Sequence, residues 1–303
     1  MKAVYTYWSK EQDKNTCGFN SFEDFLTTMS LSVNIASNHF KEIELVTNSF
    51  GKYILIDILK LPFTSVNLEL DKWDNLPSMF WTYPKILAYS LQKEPFIHID
   101  NDVFLWSGIP EKCLKNDLYF QSKEWFGLEG FGWYHHLVDL MIKKAPFKPQ
   151  FIVENLLDVS KNSKEYTFNC GIVGCNSDKG LKIIERWKDL STQYVLSLEN
   201  LDFFNNADNL QIHQNLLHEQ YFVGCLLKAE NLLDNVGVLL EDYNKESTCG
   251  NYKYTHLWGL VKRDSNVMNK VYKRLRADFS LQYDRIFQFI MSKEIFIKNF
   301  NLI

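Results

Sequence analysis

Apolar and polar positions alternate along the chain in blocks that separate strands from helices. Ala3 to Trp8 (AVYTYW) is a short apolar run and predicts a first strand. A polar stretch with Cys17 and Gly18 follows. Ser21, with Asp24 three positions on, is a helix-start signature, and Phe22, Phe25, Leu26, Met29, Val33 and Ile35 then keep roughly helical spacing. Ile43 to Thr47 (IELVT) predicts a second strand. The order strand, helix, strand points to an α/β chain with a parallel sheet. Asn48 to Gly51 reads as a turn, Tyr53 to Leu59 fits helix or strand alike, and Ser65 to Leu70 (SVNLEL) alternates as a strand. Residues 80–92 read as a helix that tolerates Pro84 in its first turn. Phe96 to Ile99 is apolar apart from His98, as an interior strand would be. Farther on, Tyr166 to Val173 predicts another interior strand. Ser177 caps a helix running to about Leu190, and residues 195–215 are polar and fit no one element. His218 to Ala229 reads as helix, Val236 to Leu240 as strand, and Asn266 to Phe279 as a basic helix before a tail rich in Phe and Ile. With no repeat and no flexible linker, one continuous domain is expected.

Composition sharpens this picture. Of the 303 residues, 46% are hydrophobic and 23% charged, which suits a packed globular chain and not a disordered one. Aromatic residues reach 15%, mostly as core, with some Trp and Tyr suited to the apolar faces of sugars. A net charge of -4 argues against nucleic acid as a general partner, since such proteins usually carry a basic stripe. The six cysteines form no CxxC pair, which argues against a zinc knuckle and for reduced, buried thiols in a cytoplasmic protein. Met1 to Gln12 lacks the apolar run of a signal peptide, and no stretch of about 18 apolar residues is present to span a membrane. Lys and Arg outnumber Asp and Glu over residues 262–303; lacking a Lys-rich amphipathic pattern, this reads first as a solvated helix and docked tail, with peripheral contact at the inner face of a membrane as the alternative.

The chemistry concentrates at Asp100-Asn101-Asp102, just after the Phe96–Ile99 strand and before the apolar Val103-Phe104-Leu105. Ligands commonly bind at the C-terminal edge of a parallel strand. Two carboxylates there, one residue apart, are costly to bury unless compensated, and they suit a hard divalent cation that in turn neutralises a diphosphate. Tyr7, ending the first strand, is the ring best placed to stack on a base or ribose.

The segment IHIDNDVFLW resembles the DxD region of GT-A glycosyltransferases, and three more segments are similar to the glycogenin-like group (glycosyltransferase family 8). These are Phe168-Asn169-Cys170-Gly171, His218-Glu219-Gln220-Tyr221 and His256-Leu257-Trp258-Gly259 with Lys262. The resemblance implies a GT-A-like α/β fold, with a single mostly parallel central sheet flanked by helices. It also implies a catalytic domain over residues 1–262, with residues 263–303 packed on or extending it. It gives Asp100, Asp102 and His256 a Mn2+ or Mg2+ ion, with Asp100 also at the nucleotide. Gly259 and Lys262 fall to the diphosphate, and Lys85 to the donor. Asn169, Glu219 and Gln220 lie at the transferred sugar. The implied reaction moves a sugar from a nucleotide-sugar, UDP-sugar before others, to a hydroxyl of a glycan, lipid-linked or small-molecule acceptor.

The residues bear these roles chemically. Imidazole is a sound third ligand beside two carboxylates. Lys262 supplies positive charge to a leaving diphosphate, and Glu219 would stabilise developing positive charge or, in an inverting enzyme, act as base. Departures from the family pattern are Arg263-Asp264 in place of a Pro-Trp after the lysine, Cys170 where a small residue is usual, and Glu219 where Asp is common. Trp125, Trp133 and Tyr134 around the glycine-rich Gly127–Gly132 stretch suggest a mobile loop or an acceptor platform. Two other readings compete: a non-catalytic binder of nucleotide-sugars or carbohydrates with this fold, and another metal-dependent nucleotide enzyme using the same carboxylates.

Overall fold

The computed structural model describes residues 1–10, 16–126, 146–152, 154, 165–198, 215–241 and 254–300. Trp133, Tyr134, Gly127–Gly132 and Cys249 lie outside the described residues, as does most of the ambiguous 195–215 stretch. In chain order the strands are β1 (Lys2–Tyr7), β2 (Ile43–Thr47), β3 (Ser65–Asn67), β4 (Phe96–Ile99), β5 (Val103–Leu105), β6 (Leu118–Phe126), β7 (Glu165–Cys175), β8 (Val236–Leu240) and β9 (Tyr254–His256). The α-helices are α1 (Phe22–Ala36), α2 (Ser49–Lys52), α3 (Tyr83–Ser90), α4 (Glu111–Leu114), α5 (Asp178–Leu198), α6 (Phe222–Ala229), α7 (Ser265–Asp278) and α8 (Ser280–Phe300).

The chain forms two compact units. One comprises Lys2–Asp74, Asp100–Gly108 and Gly250–Ile303. Three of its strands pair in parallel in the order β3-β2-β1, with Ala3 opposite Ile43 and Glu44 opposite Ser65. The Ser21 hydroxyl accepts from the Asp24 amide and so starts α1, as its spacing predicts. The α7 and α8 helices pack on α1, and Tyr272 donates to Asp24 at 3.1 Å. Asp264 caps α7 by accepting from the amides of Asn266 and Val267.

The second unit comprises Met1, Asn75–Ile99 and Ile109–Cys249. Here β7 runs antiparallel to both β4 and β6, and β6 is parallel to β8. A bulge falls between Phe120 and Ser122. Gly174 is required on β7, because a Cβ there would meet the Tyr119 ring at 1.8 Å. Ser177 starts α5 through the Gly180 amide, and Trp187 of α5 is fully buried and donates to the His218 carbonyl at 2.8 Å.

The α/β class is as expected, with mostly parallel strand pairing and flanking helices. Some local details differ from the sequence expectation. Tyr53–Ile58 settles as a π-helical segment. The strand at Ser65 stops at Asn67, whose side chain accepts from the Glu69 amide and turns the chain into a 3-10 segment, Glu69–Trp73. The helix expected from residue 80 begins at Tyr83, with Pro84 in its first turn. Among the described residues no helix is long and apolar enough to cross a membrane.

Candidate metal centre and polar cluster

The acidic site lies within the unit that contains β1. At Asp100 the chain turns, and the Val103 amide donates back to the Asp100 carbonyl at 3.1 Å. Asn101, between the two acids, is used structurally: its side-chain amide donates to the Thr6 carbonyl at the end of β1, at 3.1 Å. The chain then enters β5, which pairs antiparallel with β9 so that Val103 stands opposite His256. The Leu257 amide donates to the Asp102 carbonyl at 3.0 Å. This short ladder brings a histidine far along the sequence beside the acids.

One ligand atom from each of Asp100, Asp102 and His256 falls within 4.8 Å of the others, with Asp102 buried and the other two half-buried. Two carboxylates and an imidazole are a donor set that Mn2+ accepts readily and Mg2+ also takes through oxygen, so the residues present fit a divalent cation. His256 Nε2 lies 3.3 Å from Asp102 Oδ1, and Lys262 Nζ lies 2.7 Å from Asp102 Oδ2. Lys262 arrives on a 3-10 segment, Gly259–Arg263. Gly259 at φ +57° opens that segment in a conformation few other residues adopt.

Burial alone would raise the Asp102 pKa. The Lys262 ammonium, and then His256, more than reverse this and hold the carboxyl well below the usual carboxylate range. Burial likewise favours loss of the Lys262 proton, but Asp102 outweighs it and the lysine pKa is raised. Burial pushes the neighbouring Cys17 thiol up to about 12, so it is not a thiolate nucleophile at neutral pH.

A second polar cluster lies within the other unit. Lys85 on α3 forms a buried ion pair with Glu219. Asn169 on β7 donates from its side-chain amide to Glu124 Oε1 on β6 at 2.7 Å and accepts from the Gly171 amide at 2.9 Å. The Cys170 thiol faces the Glu219 carbonyl at 3.8 Å. Glu219 and Gln220 sit in a π-helical turn, Leu217–Tyr221, that leads into α6. Such a turn carries an extra residue and re-aims its side chains. Beside it, His218 is fully buried, which lowers its pKa to about 3.

The structure therefore groups Asp100, Asp102, His256 and Lys262 in one unit, with Gly259 shaping the turn that carries the lysine. It groups Lys85, Asn169, Glu219 and Gln220 in the other. Tyr7 is 1% exposed and its ring stacks on Phe25, at 4.8 Å between centroids. Sequence reasoning missed Glu124, the partner of Asn169, and the Cys17 carbonyl, which accepts from Lys262 at 2.9 Å. Glu124 follows Lys123 in a strand that also holds Gln121, so nothing local in the sequence singled it out. A backbone carbonyl leaves no signal at all.

A family model described as a family of unknown function (DUF6734) matches residues 1–289. No curated protein matches the chain in sequence. Among solved structures, galactosyltransferase LgtC in complex with donor and acceptor sugar analogues is similar at 12% identity and a TM-score of 0.40, covering 90% of this chain and 94% of that one. Mouse xyloside xylosyltransferase 1, in its apo form, is similar at 11% identity and a TM-score of 0.40, covering 84% and 96%. The glycosyltransferase GlyE of Streptococcus pneumoniae TIGR4 is similar at 11% identity and a TM-score of 0.39, covering 95% of this chain and 63% of that one. These are likenesses of fold and carry no chemistry across.

Proposed function

The chain belongs to the DUF6734 family, described as of unknown function, and we propose that it is a metal-dependent glycosyltransferase moving a sugar from a nucleotide-sugar to an acceptor hydroxyl. The observation that carries the reading is the Asp100, Asp102 and His256 cluster with a lysine bonded to its most buried acid. A cluster of this kind is suited to a nucleoside diphosphate, whose negative oxygens need a cation and a nearby ammonium.

Asp100, Asp102 and His256 would hold the Mn2+ or Mg2+ ion, which when bound would neutralise the diphosphate and make it a better leaving group. Lys262 adds a fixed positive charge for the departing phosphate oxygens, and Gly259 sets the turn that presents it. Asn169, Glu219 and Gln220 are assigned to the sugar hydroxyls and to the positive charge that develops on the sugar as its bond to phosphate breaks. Lys85 pairs with Glu219, which makes burial of that carboxylate tolerable and fixes its position. The Tyr7 ring is packed on Phe25 inside the core, so Tyr7 would shape the end of β1 on the nucleotide side without stacking on the base. UDP-sugars are the first donors to test. Residues 1–262 are taken as the catalytic portion, with α7 and α8 as its helical extension.

Calorimetry with UDP and GDP, with and without Mn2+, tests the reading. The expected result is nucleoside diphosphate binding that requires Mn2+ and disappears in Asp102→Ala. Binding indifferent to both the metal and Asp102 would remove the basis of the proposal. Mass spectrometry of the products then separates transferred sugar from released phosphate or no turnover.

A further inference from the structure

Lys262 sits on the very carboxylate that a cation would use. Its Nζ donates to Asp102 Oδ2 at 2.7 Å and to the Cys17 carbonyl at 2.9 Å, and lies 5.1 Å from the centre of the Phe19 ring. The grip is built in. Cys17 at φ +50° and Gly18 at φ +84° both take the left-handed conformation, which is costly at a cysteine. That turn aims the Cys17 carbonyl at Lys262 and the Gly18 carbonyl at Arg263, whose Nε donates to it at 3.1 Å. Asn20 closes the same loop onto the Arg263 carbonyl at 3.0 Å. A lysine held by a carboxylate, a carbonyl and an aromatic face is a fixed positive charge, not a wandering surface group.

A fixed charge at that place acts in two opposite ways. It repels a divalent cation approaching Asp100, Asp102 and His256, and it shares Asp102 with any cation that arrives. It also attracts a diphosphate. We propose that Lys262 is a built-in counter-cation of Asp102 that opposes the metal when it comes alone and favours it when a diphosphate comes with it, so that metal and nucleotide bind as a coupled pair. This rests on the metal–diphosphate reading above. Thermodynamic reciprocity requires that the nucleotide tighten metal binding by the same factor as the metal tightens nucleotide binding. The enzyme would thus hold little metal until its donor is present.

The test is calorimetric titration of Mn2+ into the full chain after chelator treatment, with and without saturating UDP or GDP, checked by the paramagnetic resonance of free Mn2+. Wild type is expected to bind Mn2+ weakly alone and at least about tenfold more tightly with nucleotide. Lys262→Met is expected to bind Mn2+ alone at least about tenfold more tightly than wild type, and to lose most of the coupling. Lys262→Arg keeps the charge and should stay near wild type. Circular dichroism verifies folding, and Lys262→Gln takes the place of Lys262→Met if that variant does not fold. Asp102-dependent Mn2+ binding in wild type with no gain in Lys262→Met overturns this inference alone. A gain of equal size in Lys262→Arg also overturns it, because charge would not be the cause. Absence of Mn2+ binding in every variant, with or without nucleotide, overturns both the inference and the metal–diphosphate reading.

Discussion

Two acid–lysine pairs, one in each unit, solve the same electrostatic problem and end up with different capacities. Glu219 and Lys85 form a one-to-one pair, with side-chain exposures of 3% and 11% against 8% and 14% for Asp102 and Lys262, and each is anchored on helical backbone. Asp102 and Lys262 are also close-packed, but Asp102 is flanked by the half-buried Asp100 and His256, and all the groups around it sit on turns or short strands. The Lys85–Glu219 pair balances one acid with one base and holds the Glu219 carboxylate in place. A pair open on one side to two further ligand groups has surplus negative charge, which is what a divalent cation needs. The lesson is that burial alone does not mark a binding site; unbalanced charge next to partial exposure does.

The largest expected effect would break the comparison on the open side. Asp102→Ala should abolish Mn2+ binding, where loss of an outer partner typically costs about 10–100-fold. Calorimetry reads this directly, and retained Mn2+ binding would place the metal elsewhere.

The one-to-one pair should respond in stability. Glu219→Leu leaves the Lys85 ammonium buried beside an apolar group and should cost about 3–5 kcal/mol in urea unfolding. Lys85→Met combined with Glu219→Leu should recover much of that loss, since a buried pair replaced by packed apolar groups is often tolerated. If the double variant is no better than the single one, the pair does more than balance charge.

A pH series sharpens the contrast within the same unit. His218 is held neutral by burial, with a pKa near 3 in the folded chain, against about 6.5 when unfolded. Below about pH 6.5 the unfolded chain takes up a proton that the native state refuses. Stability should therefore fall by about 1 kcal/mol per pH unit from there down toward pH 3. His218→Asn should flatten that slope between pH 6 and pH 4, and an unchanged slope would mean that other groups carry it.

The smallest effect is expected at Asn169. Asn169→Ala removes a donor to Glu124 and an acceptor from Gly171, and should cost about 1–3 kcal/mol in a thermal or urea melt. A sugar-binding role would show in addition as weaker donor binding with Mn2+-dependent diphosphate binding unchanged.

Much of this was legible in sequence because the signals were local. The capping role of Ser21, the interior strand before Asp100 and a helix with Pro84 in its first turn each follow from spacing over a few residues. The acidic tripeptide could be placed at a strand end for the same reason. The π-helical segments, at Tyr53–Ile58 and at Leu217–Tyr221, were not legible: helical spacing does not tell one winding from another, and packing selects one.

By itself the sequence determined the kinds of chemistry on offer: two acids at a strand end, a distant histidine, a glycine-set turn before a lysine, and a polar pair opening a helix. Only the tertiary structure decided which of these act together. His256 reaches Asp102 because β9 pairs with β5, and Lys262 bonds to Asp102 because a left-handed turn at Cys17 and Gly18 offers it a second acceptor. Residue types and short spacings are written in the chain, whereas charge balance depends on distances between segments far apart in sequence, and those are set when backbone pairing and packing bring the segments together.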